Sequence, residues 1–339
     1  MTHYHLYAIG NALVDSEYEV PDTQLAAMGV DKRHMTLIDS ARRAELLGQV
    51  QGLQPRRTGG GSAGNTVVAL SQLGGKAFYS CRVSDDELGH FYAQDLHNNG
   101  VDTNLTHTKA PHGQTGSCLV FVTPDAERSM CTFLGATAEL DSSALHPKDI
   151  AKSKVFYMEG YLAASPTGLQ AALEGKRLAQ ETGVALAATL SDVSMINFCR
   201  AGLEAMLSGG LDYVFCNEEE ARVWCGSDDW ATIESAMSQL ATTVCITRSA
   251  KGCLVLSRGQ RTLVPAPVVK AVDTNGAGDM FAGAFFYAAT HGYTHEQAAL
   301  LGNQCAAAVV SQHGNRLTPV KMQAIKQAFE EELTKAALV

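Results

Sequence analysis

A chain of 339 residues can bury a large core, and 46% hydrophobic with 18% charged residues is the balance of a globular enzyme rather than of a disordered or membrane-embedded chain. The formal net charge of -9 argues against unspecific binding to nucleic acid or anionic membranes, so a phosphate-bearing ligand must be met by backbone N–H groups, a metal and a few local cations. Met1-Thr2-His3-Tyr4-His5 has no basic segment leading into an apolar one, and no 18-residue apolar run occurs, so a cytoplasmic protein is expected.

In chain order, Leu6-Tyr7-Ala8-Ile9 reads as a first strand, followed by the polar loop Gly10-Asn11-Ala12-Leu13-Val14-Asp15. A helix over 86–99 carries Leu88, Phe91, Tyr92 and Leu96 at helical spacing and stops at Gly100. Two strands, 117–122 and 129–134, flank Pro124-Asp125-Ala126-Glu127, which predicts a hairpin outside the main sheet. From about residue 154 onward, short apolar runs at 155–158, 185–190, 213–216, 244–247 and 253–256 alternate with helical patterns. One such pattern opens at Pro166 and closes near Gly183; another has Glu218, Glu219 and Glu220 in its first turn. This is the pattern of βαβ units around a parallel sheet. With no internal repeat or linker, residues 1–339 read as one doubly wound α/β domain, into which about 10–40 and 110–137 contribute a small β lid. Nine cysteines without C-x-x-C pairs or zinc spacing read as free thiols.

The most informative segment is Asp273-Thr274-Asn275-Gly276-Ala277-Gly278-Asp279, which runs into the apolar stretch Met280-Phe281-Ala282-Gly283-Ala284. Three small residues at a helix start let unpaired N–H groups face an anion. A carboxylate at Asp279 beside that anion is electrostatically misplaced unless it moves a proton. The segment resembles the C-terminal signature of the ribokinase-like, or PfkB, carbohydrate kinases. The resemblance implies that Asp279 is the catalytic base and that Gly276, Ala277 and Gly278 form the anion hole for the transferring phosphoryl group. It also implies ATP and Mg2+ as cofactors, with a monovalent cation such as K+ as a further candidate, and assigns Asp273 to the nucleotide side.

Gly59, Gly61 and Gly64 satisfy G-x-G-x-x-G, but residues 53–58 contain no apolar run and hence predict no strand before the cluster, which excludes a dinucleotide fingerprint. The cluster is instead similar to the family's N-terminal signature, which gives Gly60, Gly61 and Asn65 to the acceptor substrate. Asn217 and Glu220 match the family's N-x-x-E motif, associated with magnesium and phosphate handling, although acids at a helix start also serve the helix dipole. Thr247 and Gly252 keep a nucleotide-binding turn that commonly reads T-x-G-x-x-G, whereas Ser249 departs from its middle glycine. The small-residue helix beginning at Asn303 resembles the family's helix beside the adenine, with Asn303 as the base's neighbour.

A carboxylate accepts from two neighbouring hydroxyls, and ligands of open α/β sheets bind beyond the carboxyl ends of strands, so Asp15, with Asn11, suits a sugar diol. This segment and the lid, with Glu127-Arg128-Ser129 and Thr132-Phe133-Leu134-Gly135-Ala136, resemble the adenosine kinase branch. Arg128 is expected over the phosphates when the lid closes, or solvated at the hairpin. Phe121, Phe133 and Tyr161 either stack on a purine or fill the lid's core. The expected reaction is phosphorylation of a primary hydroxyl of a ribonucleoside, adenosine first. The alternatives are a sugar kinase acting on ribose, fructose or 2-keto-3-deoxygluconate, and a binding protein on the same fold without turnover. Partners are the small-molecule acceptor and ATP; a monomer and a homodimer are equally compatible.

Overall fold

The computed structural model describes residues 3–106, 113–125 and 127–336. Residues 110–112 of the expected lid and Ala126 of the expected hairpin turn lie outside them. Fourteen strands occur among the described residues: β1 Tyr4–Ile9, β2 Leu13–Glu19, β3 Met35–Leu37, β4 Arg56–Gly60, β5 Ala77–Ser80, β6 Val101–Thr103, β7 Ser117–Val122, β8 Arg128–Phe133, β9 Ser153–Met158, β10 Ala185–Thr189, β11 Leu211–Asn217, β12 Ala241–Thr247, β13 Cys253–Ser257 and β14 Gln260–Val264.

Nine of them form one sheet in the order β14-β13-β12-β11-β10-β9-β1-β5-β6, parallel throughout except for the antiparallel β13 and β14. The continuous apolar runs are explained by burial on both faces. Successive residues of a strand point opposite ways. Leu6, Ala8 and Tyr157 accordingly join one core cluster, and Tyr7, Ile9 and Phe156 the other. Helices Ser62–Gln72 and Ala277–Thr290 pack on the first face. They approach closely because Gly283 has no side chain: a Cβ there would lie 2.5 Å from the Thr66 carbonyl oxygen and 2.6 Å from the Ala69 Cβ. That contact places the starts of the two glycine-rich motifs side by side.

The remaining strands form a second sheet, β3-β8-β7-β2-β4. Its own core joins Tyr18, Val20, Leu25, Met28, Leu46, Phe121 and Cys131. The expected hairpin is the antiparallel pair β7 and β8. Strand β4 corrects the reading of the glycine cluster, because a strand does precede it. Arg56-Arg57-Thr58-Gly59-Gly60 has no apolar signal and is held as an edge strand by its antiparallel ladder with β2. It belongs to the smaller sheet and opens no parallel βαβ unit, so the dinucleotide reading fails on topology. All nine cysteines are free, seven of them buried. Among the described residues no helix is long and apolar enough to cross a membrane.

Candidate active site

The parallel strands deliver polar residues to one edge. Asn11 follows β1, Glu159 and Tyr161 follow β9, and Asn217 at the end of β11 pairs in register with Thr247 of β12. The helix Ala277–Thr290 starts with Gly276 as N-cap and Asp279 in its first turn. Asp279 is half-buried, and each of its oxygens is held by the first turn of the neighbouring helix: Ser62 Oγ donates to Oδ1 at 2.6 Å and Asn65 Nδ2 to Oδ2 at 2.8 Å. Burial pushes its carboxyl up to about 6, against the lowering effect of Ser62, Asn65 and the Arg316 cation. Gly276 has φ +77°, and a Cβ on it would lie 2.4 Å from the Asn315 carbonyl oxygen, so glycine is required there by the backbone. Around Gly278 there is open space, and the N–H groups of Gly278 and Asp279 find no acceptor among the described residues. Such a helix start fits a phosphoryl group.

The glycine cluster is pinned against the loop after β1. Gly61 has φ +87°, and a Cβ on it would lie 1.9 Å from the Asn11 carbonyl oxygen. Two fully buried tyrosines hold both loops, Tyr79 Oη donating to the Asn11 carbonyl and Tyr92 Oη to the Gly60 carbonyl, each at 2.9 Å. Asn11 Nδ2 donates to Glu159 Oε1 at 2.9 Å, and the Ala63 N–H donates to Glu159 Oε2 at 2.8 Å. Burial raises the Glu159 carboxyl to about 7 despite these donors. Asp15 accepts from Asn315 Nδ2 at 2.9 Å on Oδ2, while its Oδ1 accepts nothing from the described residues. Its carboxyl is raised to about 6 by burial, with Arg316 and Arg128 pulling the other way.

Several residues singled out in the sequence have defined partners in the folded chain. Arg128 is neither solvated nor free: it donates to Glu17 Oε2 at 2.5 Å and to Asp273, joining β8 and β2 of the smaller sheet to the Asp279 motif. Asp273 is occupied by this ion pair, by the Gly314 N–H at 3.0 Å and by the Asn275 N–H at 3.0 Å. Phe121 is fully buried in the smaller sheet's core, out of reach of a purine. Asn303 is buried and donates to the carbonyls of Val264 at 2.9 Å and Pro265 at 3.1 Å, so its amide ties down the end of β14. Tyr161 is half-buried, and acids including Asp192, Glu159 and Asp279 act on its raised hydroxyl after burial itself.

Asn217 and Glu220 form a capping box. Asn217 Oδ1 accepts from the Glu220 N–H at 2.8 Å, while Glu220 accepts the Asn217 N–H at 3.0 Å and its Nδ2 at 2.6 Å. No group of three acids, histidines or cysteines among the described residues can hold a metal. Magnesium, which retains water and rides on substrate phosphates, fits this edge only through water-bridged acids. Glu220→Gln should lose one of the two bonds that Glu220 accepts but also relieve the burial that raises this carboxyl to about 7, so stability at pH 7 should change by less than about 1 kcal/mol, as measured by denaturant titration. It should also raise the magnesium concentration giving half-maximal rate; an unchanged magnesium curve would reduce Glu220 to a helix cap. In the neighbouring turn Ser249 adopts φ +51°, the left-handed conformation that glycine takes without penalty, so the turn's shape survives the missing glycine. Gly252, at φ +89°, has the Val264 carbonyl oxygen 2.0 Å from where its Cβ would be.

Sequence reasoning gave no role to Ser62, Glu159, Arg316 or Asn315. Ser62 lay inside the glycine cluster and Glu159 at the polar end of an apolar strand, which are usable signals. Arg316 and Asn315, in an unremarked stretch after the last small-residue helix, had none.

An open cavity of about 560 Å3, within the range of small-ligand sites, is lined by residues that include Leu37, Ile38, Gln114, Phe133, Leu134 and Ala136. Its Ala136 wall continues into Thr137, whose Oγ1 donates to Asn11 Oδ1 at 3.3 Å.

Residues 32–321 match the model of the family described as pfkB family carbohydrate kinase. A probable sugar kinase from Rhizobium etli CFN 42 is 36% identical, with TM-score 0.86 over 97% of this chain and 99% of that one. An adenosine kinase from Sinorhizobium meliloti is also 36% identical, with TM-score 0.85 over 96% of this chain and 99% of the other. Ribokinase from Mus musculus is 32% identical over 239 residues, 68% of this chain and 71% of that protein.

Proposed function

Because the chain belongs to the pfkB family of carbohydrate kinases, we propose that it phosphorylates the 5′-hydroxyl of a ribonucleoside, adenosine first, with ATP and magnesium. The observation that carries the kinase chemistry is the junction of Ser62, Asn65 and Asp279, which puts the acceptor-side glycine cluster within hydrogen-bond reach of a carboxylate at a helix start.

Asp279 takes the proton of the acceptor hydroxyl. With one donor on each oxygen it keeps lone pairs free, and a carboxyl raised to about 6 is a stronger base than an ordinary aspartate while still ionised at pH 7. The free N–H groups of Gly278 and Asp279 receive the negative charge of the transferring group. Bound ATP with its magnesium supplies that phosphoryl group, with its charge partly neutralised. Asn217, Thr247 and Gly252 would flank the nucleotide along the same edge, and Glu220 would help to hold the metal through water. Asp15 accepts the ribose 2′- and 3′-hydroxyls on its free Oδ1, while Asn11, Asn65 and the Gly60-Gly61 backbone orient the sugar. Arg128 joins the smaller sheet to Asp273, and closure of that sheet keeps water from the phosphoryl group. The cavity walled by Leu37, Phe133 and Leu134 supports a flat apolar base beside the ribose. The likeness to ribokinase supports the runner-up, a sugar kinase.

A coupled ATP-consumption assay over nucleosides and sugars decides between them. Adenosine should have the highest kcat/KM, and removal of its 2′-hydroxyl or Asp15→Ala should lower that value by about 10- to 100-fold, as expected for hydrogen bonds to a charged group. A free sugar used better than every nucleoside would overturn the nucleoside reading. Equal use of adenosine and its 2′-deoxy analogue would overturn the role of Asp15.

A further inference from the structure

We infer that Arg316 is a positioning residue for phosphoryl transfer, fixing the amide of Asn65 so that Asn65 holds the Asp279 carboxylate in place. The inference rests on the reading of Asp279 as the base.

Arg316 follows the helix His295–Val310, and its side chain is only 9% exposed, so it has little access to a substrate. Its Nε donates to Asn65 Oδ1 at 2.7 Å and its Nη1 to Asp95 Oδ2 at 2.5 Å. The guanidinium is wedged under the smaller sheet's edge: a Cβ on Gly59 would lie 2.9 Å from Nη1, 3.0 Å from Nη2 and 2.3 Å from Asp95 Oδ2. Its Nη2 is buried without a partner among the described residues, so the side chain sits here at a penalty in hydrogen bonding.

The consequence for Asn65 follows from what each group is able to do. Arginine has only donors, so the oxygen of the buried Asn65 amide must face Arg316. Its Nδ2 must then face Asp279, where it donates at 2.8 Å. Without Arg316 nothing prevents the amide from turning its oxygen toward the carboxylate, a repulsive contact that also frees the carboxylate to rotate. Arg316 thus acts twice on the base, by orienting its donor and as the cation that opposes its burial. Asp279 in turn raises the carboxyl of Glu159 and the hydroxyls of Tyr157 and Tyr161, which reach toward it from β9 and the turn after it.

The test uses Arg316→Met, Arg316→Lys, Asn65→Ala and the double variant Arg316→Met/Asn65→Ala. Asp95→Asn/Arg316→Met removes the acid that would otherwise be left unpaired and buried, and so guards the fold. With MgATP and whichever of adenosine, ribose and fructose is turned over best, Arg316→Met should lower kcat by about tenfold or more. The KM for ATP should stay within about twofold, since Arg316 touches no nucleotide-side residue. The acidic limb of the kcat–pH profile should move to higher pH, because a cation that favours the ionised base has gone. Lysine reaches one of the two partners and should restore part of kcat. At pH 8, where the base is ionised with or without the cation, the double variant should be no slower than Asn65→Ala alone, because there Arg316 acts only through Asn65. Additive losses at that pH, or a folded Asp95→Asn/Arg316→Met variant with normal kcat and an unmoved limb, would overturn the inference. If Asp279→Asn stays active in the same assay, the base assignment falls and takes this inference with it. If Asp279→Asn is inactive and the Arg316 variants are normal, only the inference falls.

Discussion

Asp279→Asn should lower kcat by at least about 100-fold, the lower worth of general-base assistance, and leave ATP affinity within about twofold. The amide fits the site: its oxygen can accept from Asn65 Nδ2, and its nitrogen can donate to Ser62 Oγ once that hydroxyl turns to accept. Lost turnover would therefore report lost proton transfer rather than a lost fold. In the wild type, kcat should fall as pH drops through about 6, because the carboxylate that takes the proton is then neutralised. The pH dependence of stability gives a second readout. A carboxyl whose folded value is raised to about 6 binds its proton more tightly in the folded than in the unfolded state. Its ionisation therefore removes stability as pH rises through its unfolded and then its folded value, a loss fully present at pH 7. The neutral amide escapes this loss, so Asp279→Asn should melt at or above the wild-type temperature at pH 7 to 8. Near-normal turnover by Asp279→Asn would sink the mechanism.

Gly61→Ala should be the most damaging single methyl group in the glycine cluster. With φ +87° and ψ 131°, Gly61 occupies backbone space that other residues rarely enter, and the new Cβ would lie 1.9 Å from the Asn11 carbonyl oxygen. Neither loop can retreat cheaply, because the Asn11 carbonyl is held by Tyr79 and the Gly60 carbonyl by Tyr92, both fully buried. Backbone strain together with one broken buried hydrogen bond predicts a loss of about 3 kcal/mol or more. Denaturant titration measures it, and a KM for the acceptor raised at least about tenfold should accompany it wherever the variant folds. Stability within about 1 kcal/mol of wild type, with an unchanged KM, would show that the two loops are not rigidly braced.

The sequence alone determined the features whose chemistry lies in neighbouring residues. Strands β9 to β13 were legible because burial on both faces demands unbroken apolar runs, whereas the mostly exposed β14 carries no such run. The Asp273 to Asp279 segment was legible because a ligand-facing helix start needs small residues and an acid in a fixed order. Strand β4 was not legible, since an edge strand of Arg-Arg-Thr-Gly-Gly takes its conformation from the β2 ladder rather than from its own propensity. Only the tertiary structure decided which polar groups are free and which are engaged. Arg128 and Asn303 looked available in the chain, but the first pairs with Glu17 and Asp273 and the second is bonded to backbone carbonyls. Arg316 had no signal, because its meaning lies wholly in meeting Asp95 and Asn65, 221 and 251 positions away. A motif records what a ligand requires of adjacent residues. The orientation of a buried amide, and through it the grip on a carboxylate, depends on partners that only folding brings together.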